Sequence, residues 1–137
     1  MSRIRPLPGV IVALALLLTG CPASDGPERA EAGRVSRAID ALRTAENADK
    51  PSLLEALRKE ACTDDEVCAV RSACLAAYEL HVGSLDTVAR AAVLVDAGDP
   101  FAAASAFTAA RTDLDRARRL AEDCTRAQGD MIRHRRL

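Results

Sequence analysis

Apolar residues recur every three or four positions along most of the chain, the spacing that places them on one face of an α-helix. The first such segment spans about residues 27–47, and the second has Pro51 in its first turn and ends near Glu60. Their apolar positions are Ala32, Val35, Ala38, Ile39, Leu42 and Ala45, then Leu53, Leu54, Leu57 and Ala61. Ala, Leu, Arg and Glu dominate and runs of β-branched residues are missing, so the predicted fold class is all-α.

Two longer helices follow. Thr63-Asp64-Asp65-Glu66 matches a capping box, in which Thr63 caps the third helix and Glu66 reaches back to it. This helix is predicted to continue to about Ala97, where Gly98 ends it and Asp99-Pro100 begins the fourth. The inward stripe of the third helix is Val67, Val70, Cys74, Tyr78, His81, Leu85, Val88, Ala92 and Val95. That of the fourth is Ala103, Phe107, Ala110, Leu114, Ala117, Ala121, Cys124 and Met131.

The two long helices should form an antiparallel hairpin. At 1.5 Å per residue each would be roughly 45 to 50 Å long, and a turn of two or three residues between them forces them to run in opposite directions. The predicted architecture is therefore a small bundle of about four helices built on this hairpin. It occupies residues 28–137, which is one domain by size.

The N-terminal residues have the pattern of an export signal. Arg3 and Arg5 precede an unbroken apolar run of nine residues, 10–18. A membrane-spanning helix needs about 20 apolar residues, so a permanent span is disfavoured. The run ends in Leu18-Thr19-Gly20-Cys21, which resembles the lipobox of bacterial lipoproteins.

This resemblance implies a lipid anchor. Cleavage would fall between Gly20 and Cys21, removing residues 1–20, and Cys21 would carry a diacylglycerol, with no other cofactor. Residues 21–27 would be the lipidated N-terminus and a short tether rich in Pro and Gly. The residue after Cys21 is Pro22 rather than an aspartate. The resemblance therefore implies sorting to the outer membrane, with the domain facing the periplasm.

Setting Cys21 aside leaves four cysteines, an even number that suits two disulfides in an oxidising compartment. Cys74 lies 24 residues before Gly98 and Cys124 lies 25 after Asp99, so the hairpin places them opposite each other. Cys68 and Cys74 are about 9 Å apart along one helix, too far for a bond, and Cys62 is farther from Cys74. The predicted pairs are therefore Cys62–Cys68 and Cys74–Cys124. The spacing lacks the close pairs of zinc and redox sites, so no metal is expected.

No arrangement of residues points to catalysis, and we expect no enzyme. His81 lies on or beside the inward stripe, where a structural histidine is the simpler interpretation. Asp64, Asp65 and Glu66 suit a helix N-terminus, and the basic C-terminal segment with Arg133, Arg135 and Arg136 suits a last turn, although it could also touch anionic lipid. Arg116, Arg118 and Arg119 are interleaved with acids and predict a solvated, ion-paired face. Acidic residues outnumber basic ones by 20 to 19, so nucleic acid is not an expected partner.

Two functions remain open at this point. The first is a non-enzymatic envelope lipoprotein that works as a helical interaction or scaffold module through contact with another envelope protein. The alternative is a small-ligand-binding or sensing lipoprotein. A pocket of several hundred Å³ lined by Tyr78, His81 and Phe107 would favour the alternative, and a continuous exposed apolar patch would favour a protein partner.

Overall fold

The computed structural model describes residues 26–137, which form four α-helices. They are α1 (Gly26–Thr44), α2 (Lys50–Lys59), α3 (Asp65–Asp96) and α4 (Pro100–Arg135). The two long helices, α3 and α4, pack against each other along their length as an antiparallel hairpin. The prediction of an all-α bundle built on such a hairpin is confirmed.

The turn between the long helices has the predicted chemistry. Gly98 has a φ of 80°, a left-handed conformation that glycine adopts without steric cost. The Asp99 side chain then accepts a hydrogen bond of 3.0 Å from the backbone N–H of Ala102 and so caps α4. A three-residue connection, 97–99, is enough to reverse the chain.

The core lies at one end of the hairpin. The shorter helices α1 and α2 pack across the first part of α3 and the last part of α4, and their buried side chains Val35, Ile39, Leu42, Leu54 and Leu57 fill the space between. We call this end, where α1 and α3 begin and α4 ends, the base. The opposite end, residues 93–101, is the tip.

The far half of the hairpin buries only small side chains. Beyond Tyr78 the buried positions are Ser84 and Ala91 on α3 and Ala103 and Ala110 on α4, each pair seven residues apart. On α3 the predicted stripe is right through Tyr78 and departs beyond it, since Ala92 and Val95 are exposed; on α4 the predicted Ala103 and Ala110 are buried, and Phe107, 41% exposed, is the exception. Two long helices in contact follow a seven-residue repeat, whereas a stripe of 3.6 spacing drifts away from the seam.

The caps of the shorter connections differ from their predictions. Asp64, not Thr63, caps α3, because the Asp64 side chain accepts a hydrogen bond of 3.1 Å from the N–H of Val67. Glu66 does not reach back to the cap but contacts the end of α4. Both changes have one cause, which is that side chains from other helices reach the start of α3.

The first helix ends at Thr44, three residues before the predicted boundary. The buried Lys50 explains this end, because its ammonium group donates hydrogen bonds to the carbonyl oxygens of Leu42 and Ala45. Leu42 is in the last turn of α1 and Ala45 directly follows the helix, a position where a cation is favoured by the helix dipole. Lys50 is also the first residue of α2, so one side chain fixes the turn between the two helices.

Both disulfides have the predicted pairing. Cys74 and Cys124 join α3 to α4 with a Cα–Cα distance of 4.8 Å. Cys62 and Cys68, 5.4 Å apart, join the segment before α3 to its beginning. The bond between the long helices closes a loop of 50 residues, which stabilises a fold by about 4 kcal/mol if it acts on the entropy of the unfolded chain.

Candidate functional site

The predicted lipidation residue, Cys21, and the predicted cleavage position after Gly20 lie outside the described residues. The first described residue, Gly26, is at the base. It lies near Leu137, because both line one open cleft together with Arg29. The remaining candidates form three regions, namely a charged cluster at the base, a groove at mid-hairpin and the tip.

One arginine, Arg135, organises the base cluster. Its guanidinium group donates to Asp64 at 2.7 Å, to Glu66 at 3.1 Å and to Glu28 at 2.8 Å. His134 adds a fourth contact, since its Nδ1 lies 2.8 Å from Glu66. The start of α1, the start of α3 and the end of α4 are therefore held by a single network of charges.

These contacts shift the acid–base equilibria of the cluster. The backbone N–H of Val67 and then Arg135 hold the pKa of Asp64 below its ordinary value, despite partial desolvation. Hydrogen bonds from His134 and Arg135 likewise lower the pKa of Glu66. The pKa of Arg135 is raised, chiefly by its hydrogen bond to Asp64. The charged forms of Asp64, Glu66 and Arg135 are thus stabilised by their contacts in this network.

Two buried polar side chains attach α1 to the hairpin. Glu31 accepts hydrogen bonds from the N–H groups of Thr63 and Asp64, at 2.6 and 3.1 Å, and from the Thr63 hydroxyl at 2.8 Å. Burial of Glu31 opposes its ionisation, but these hydrogen bonds outweigh it and lower its pKa. On the other side, Gln128 of α4 donates to the backbone oxygen and the hydroxyl of Ser36, at 3.2 and 2.9 Å.

The sequence interpretation placed the acids of 64–66 and the basic C-terminal segment separately, each beside a helix end. They do lie in the first turn of α3 and the last turn of α4. It missed that the two groups meet and that Glu31 and Gln128 are buried. The sequence did contain a signal that the acidic and basic groups meet. The register that pairs the cysteines also places Glu66 opposite residue 132, next to the basic C-terminal segment. Nothing local marks Glu31 or Gln128, whose partners are 32 and 92 residues away.

A groove of about 380 Å³ lies where the α1–α2 turn meets the hairpin. Its apolar lining comes from α3 and α4 and consists of Ala77, Tyr78, Leu114, Ala117 and Ala121. Its other lining residues are all basic, namely Arg43, Lys50, His81 and Arg118. The groove contains two of the three residues that the ligand-binding alternative requires, Tyr78 and His81, but not Phe107.

The surroundings of the histidine in this groove disfavour its charged form. Desolvation, and then the charge of Lys50, lower the pKa of His81 below its ordinary value of 6.5. Its Nε2 lies 3.5 Å from the Asn47 side-chain oxygen. The half-buried position of His81 agrees with its prediction at the edge of the inward stripe.

The arginines of α4 are exposed, as predicted, but not ion-paired as predicted. Arg116, Arg118 and Arg119 have no carboxylate within 4 Å among the described residues, whereas Arg126 does pair with Asp123 at 3.3 Å. The interleaved acids do lie one turn away, with Asp113 three residues before Arg116 and Asp115 three before Arg118, but none of them comes within 4 Å of these guanidinium groups. Arg118 therefore has no carboxylate in direct contact with it at the rim of the groove.

The tip carries large apolar side chains in contact with solvent. Phe101 is 88% exposed, Val93 66% and Val95 52%. Among the described residues, the other exposed large apolar side chains are Phe107, on α4, and Leu137, at the base. A soluble surface tolerates single exposed apolar residues, but a concentration of them at one end is characteristic of a contact surface.

Comparisons with known proteins identify no relative, since no family model, no curated protein and no solved structure matches the chain. Within residues 26–137, no helix is long and apolar enough to cross a membrane. In the same range, no group of three or more His, Cys, Asp or Glu side chains is placed to hold a metal ion.

Proposed function

We propose that this protein is a lipid-anchored, non-enzymatic interaction module of the bacterial envelope. In this proposal Cys21 holds the base near a membrane, with the outer membrane as the expected one, and the tip contacts another envelope protein. The observation that carries the proposal is the position of the exposed apolar residues, Val93, Val95 and Phe101, at the end of the molecule opposite Gly26.

The dimensions of the chain support this arrangement. Cys21 lies five residues before Gly26, so the anchor is at most about 18 Å from the base. The 36 residues of α4 then place the tip about 50 Å farther along the hairpin axis. An anchored base and a distant apolar tip suit a molecule that reaches a partner away from its own attachment point.

The anchor is tested by mass spectrometry of the mature N-terminus. We expect the wild-type chain to begin at Cys21 and to carry the mass of a thioether-linked diacylglycerol. The Cys21→Ser variant should lack this mass. A wild-type protein without lipid would refute the anchored location.

The contact is tested by photocrosslinking in the native cell. The photoreactive p-benzoylphenylalanine is placed at Phe101 or Val93 of the tip, or at the exposed Arg126 of α4 as a control. We expect both tip positions to capture the same envelope protein and the control position to capture none. No adduct at the tip, or an adduct of twice the chain's own mass only, would contradict the proposed contact.

The groove favours a second candidate function, binding of a small ligand. Its volume of about 380 Å³ is within the range of small-molecule sites, and its lining combines an apolar surface with a few polar groups. This candidate does not compete with the first, because the groove and the tip are different parts of the hairpin.

A further inference from the structure

The charge of the groove points to one class of ligand. Its lining includes three cations, Arg43, Lys50 and Arg118, and no carboxylate. Glu122 is the carboxylate of the adjoining outer cleft, which it lines together with Tyr78 and Arg118. The surface that a ligand would enter therefore favours a negative charge.

Two of these cations have no acidic partner. The buried Lys50 donates only to the carbonyl oxygens of Leu42 and Ala45, and Arg118 is exposed. Neither has a carboxylate within 4 Å among residues 26–137. Arg43 differs, because Asp40 lies 3.3 Å from it. An anion at Lys50 and Arg118 would supply a counter-charge in direct contact with both.

The apolar side of the groove continues beyond the shorter helices. Helical spacing places Leu85 and Val88 on the face of α3 that His81 occupies, four and seven residues farther on. On α4, Phe107 lies seven residues from the groove residue Leu114 in the same direction. Leu85 and Val88 are half-buried and Phe107 is 41% exposed, so this face of the hairpin is only partly covered. A cationic end thus passes into an apolar strip that runs toward the tip.

We propose that the groove binds a single-chain amphiphile with an anionic head group, a carboxylate or a phosphate. The head group lies between Lys50 and Arg118, and the alkyl chain follows Leu114 toward Val88 and Phe107. This inference rests on the ligand-binding candidate function and adds the ligand class, the orientation and the residues. It does not depend on the contact at the tip.

The base cleft is a poorer anion site although it contains more arginines. It measures about 510 Å³ and is lined by Arg29, Glu66, His134, Arg135 and Arg136. Arg135 is already neutralised by its three carboxylates, and Arg29 donates to the backbone oxygen of Arg136. A charge that already has partners gains less from a ligand.

The test measures binding by isothermal titration calorimetry to the full chain carrying Cys21→Ser, which has no acyl chain of its own. The probes are dodecanoate and dodecyl phosphate below their micellar concentrations, the neutral dodecyl maltoside with the same chain, and inorganic phosphate as a head group alone. We expect one molecule of either anionic amphiphile per chain, with affinity about tenfold above that of dodecyl maltoside. Phosphate alone should bind weakly, because it buries no apolar surface.

Two adjacent variants show whether the charge of the groove is responsible. Arg118→Glu should weaken dodecyl phosphate binding about tenfold, since it replaces an attractive charge with a repulsive one. Arg119→Glu makes the same change in net charge one residue away, outside the groove, and should leave binding within about twofold. Circular dichroism confirms that both variants fold.

The outcomes separate the two claims. Equal binding of the neutral and anionic amphiphiles would overturn the anionic class while leaving the ligand-binding function standing. Equal loss in Arg118→Glu and Arg119→Glu would overturn the assignment to this groove. If no amphiphile binds, the ligand-binding function fails together with the inference.

Discussion

Glu31 shows how one side chain can override a local sequence signal. Thr63 and Asp64 are both good capping residues, and the sequence around them favours Thr63 because Glu66 follows three positions later. In the structure the Thr63 hydroxyl and N–H both donate to Glu31, so Asp64 is left to cap α3. A residue of another helix decides which of these two neighbours caps α3, so the capping residue cannot be predicted from the local sequence.

Removing the charge of Glu31 should destabilise the fold. In Glu31→Gln an amide NH₂ group replaces one of the two acceptor oxygens that face the Thr63 and Asp64 donors. We expect a loss of about 1 to 3 kcal/mol in the free energy of unfolding, measured by urea denaturation.

The matched control is Glu46→Gln, which makes the same change at an exposed position in the α1–α2 turn. Its free energy of unfolding should stay within about 0.5 kcal/mol of the wild type. Equal stability of the two variants would show that the buried hydrogen bonds of Glu31 contribute nothing measurable.

At the scale of the elements, the sequence predicted most of the fold because its signals are strong. Gly98, Asp99 and Pro100 mark the turn, and a long hairpin with a known turn fixes the register that pairs Cys74 with Cys124. The inward positions of α3 beyond Tyr78 were harder. Alanines are so frequent there that hydrophobicity alone does not show which of them face the other helix.

The seven-residue repeat of buried small residues predicts where the hairpin resists larger side chains. In Ala110→Leu the added atoms would face α3 directly, because Ala110 is 1% exposed. We expect a loss of about 1 to 3 kcal/mol in the free energy of unfolding. It is measured by urea denaturation.

Ala109 provides the comparison, since it is the neighbouring residue and is exposed. Ala109→Leu should change the free energy of unfolding by less than about 0.5 kcal/mol. If both leucine variants were equally stable, close contact between the helices at Ala110 would be ruled out.

At the scale of the whole molecule, the way α1 and α2 sit on the hairpin could not be predicted. It depends on Glu31, Gln128 and the base cluster, whose partners are distant in sequence. The same is true of the groove, which exists only because the α1–α2 turn meets the hairpin beside Tyr78. The helices are encoded locally, whereas these features arise from packing between segments that are distant in sequence.

The base cluster predicts that acid weakens the whole fold. The pKa values of Glu31, Asp64 and Glu66 are lowered on folding, so in acid the unfolded chain binds more protons than the folded one. Their contribution to stability is complete above the ordinary carboxyl values of 3.8 to 4.5 and is lost as the pH falls through the lower folded values. The lowered pKa of His81 adds a loss that begins below about pH 6.5.

We therefore expect the urea midpoint to fall steadily from pH 7 to pH 3. In Arg135→Gln this dependence should be shallower, because Arg135 is one of the groups that lower the pKa of Asp64 and Glu66. A midpoint that does not change over this range would contradict the role of the cluster.

The bond between Cys74 and Cys124 also determines how the molecule can move. It lies about two dozen residues from the turn, so only the arms between this bond and the turn can separate thermally while the bond is intact. Beyond Tyr78 the arms are held by small side chains such as Ser84, Ala91, Ala103 and Ala110, which bury little surface. Brief opening should therefore be confined to the outer arms, with amide protons near Ala91 and Ala103 exchanging faster than those near the disulfide. The outer arms of such a hairpin can separate to admit a ligand. The disulfide-bonded end meanwhile keeps the two helices in register, so that the arms re-form their contacts quickly.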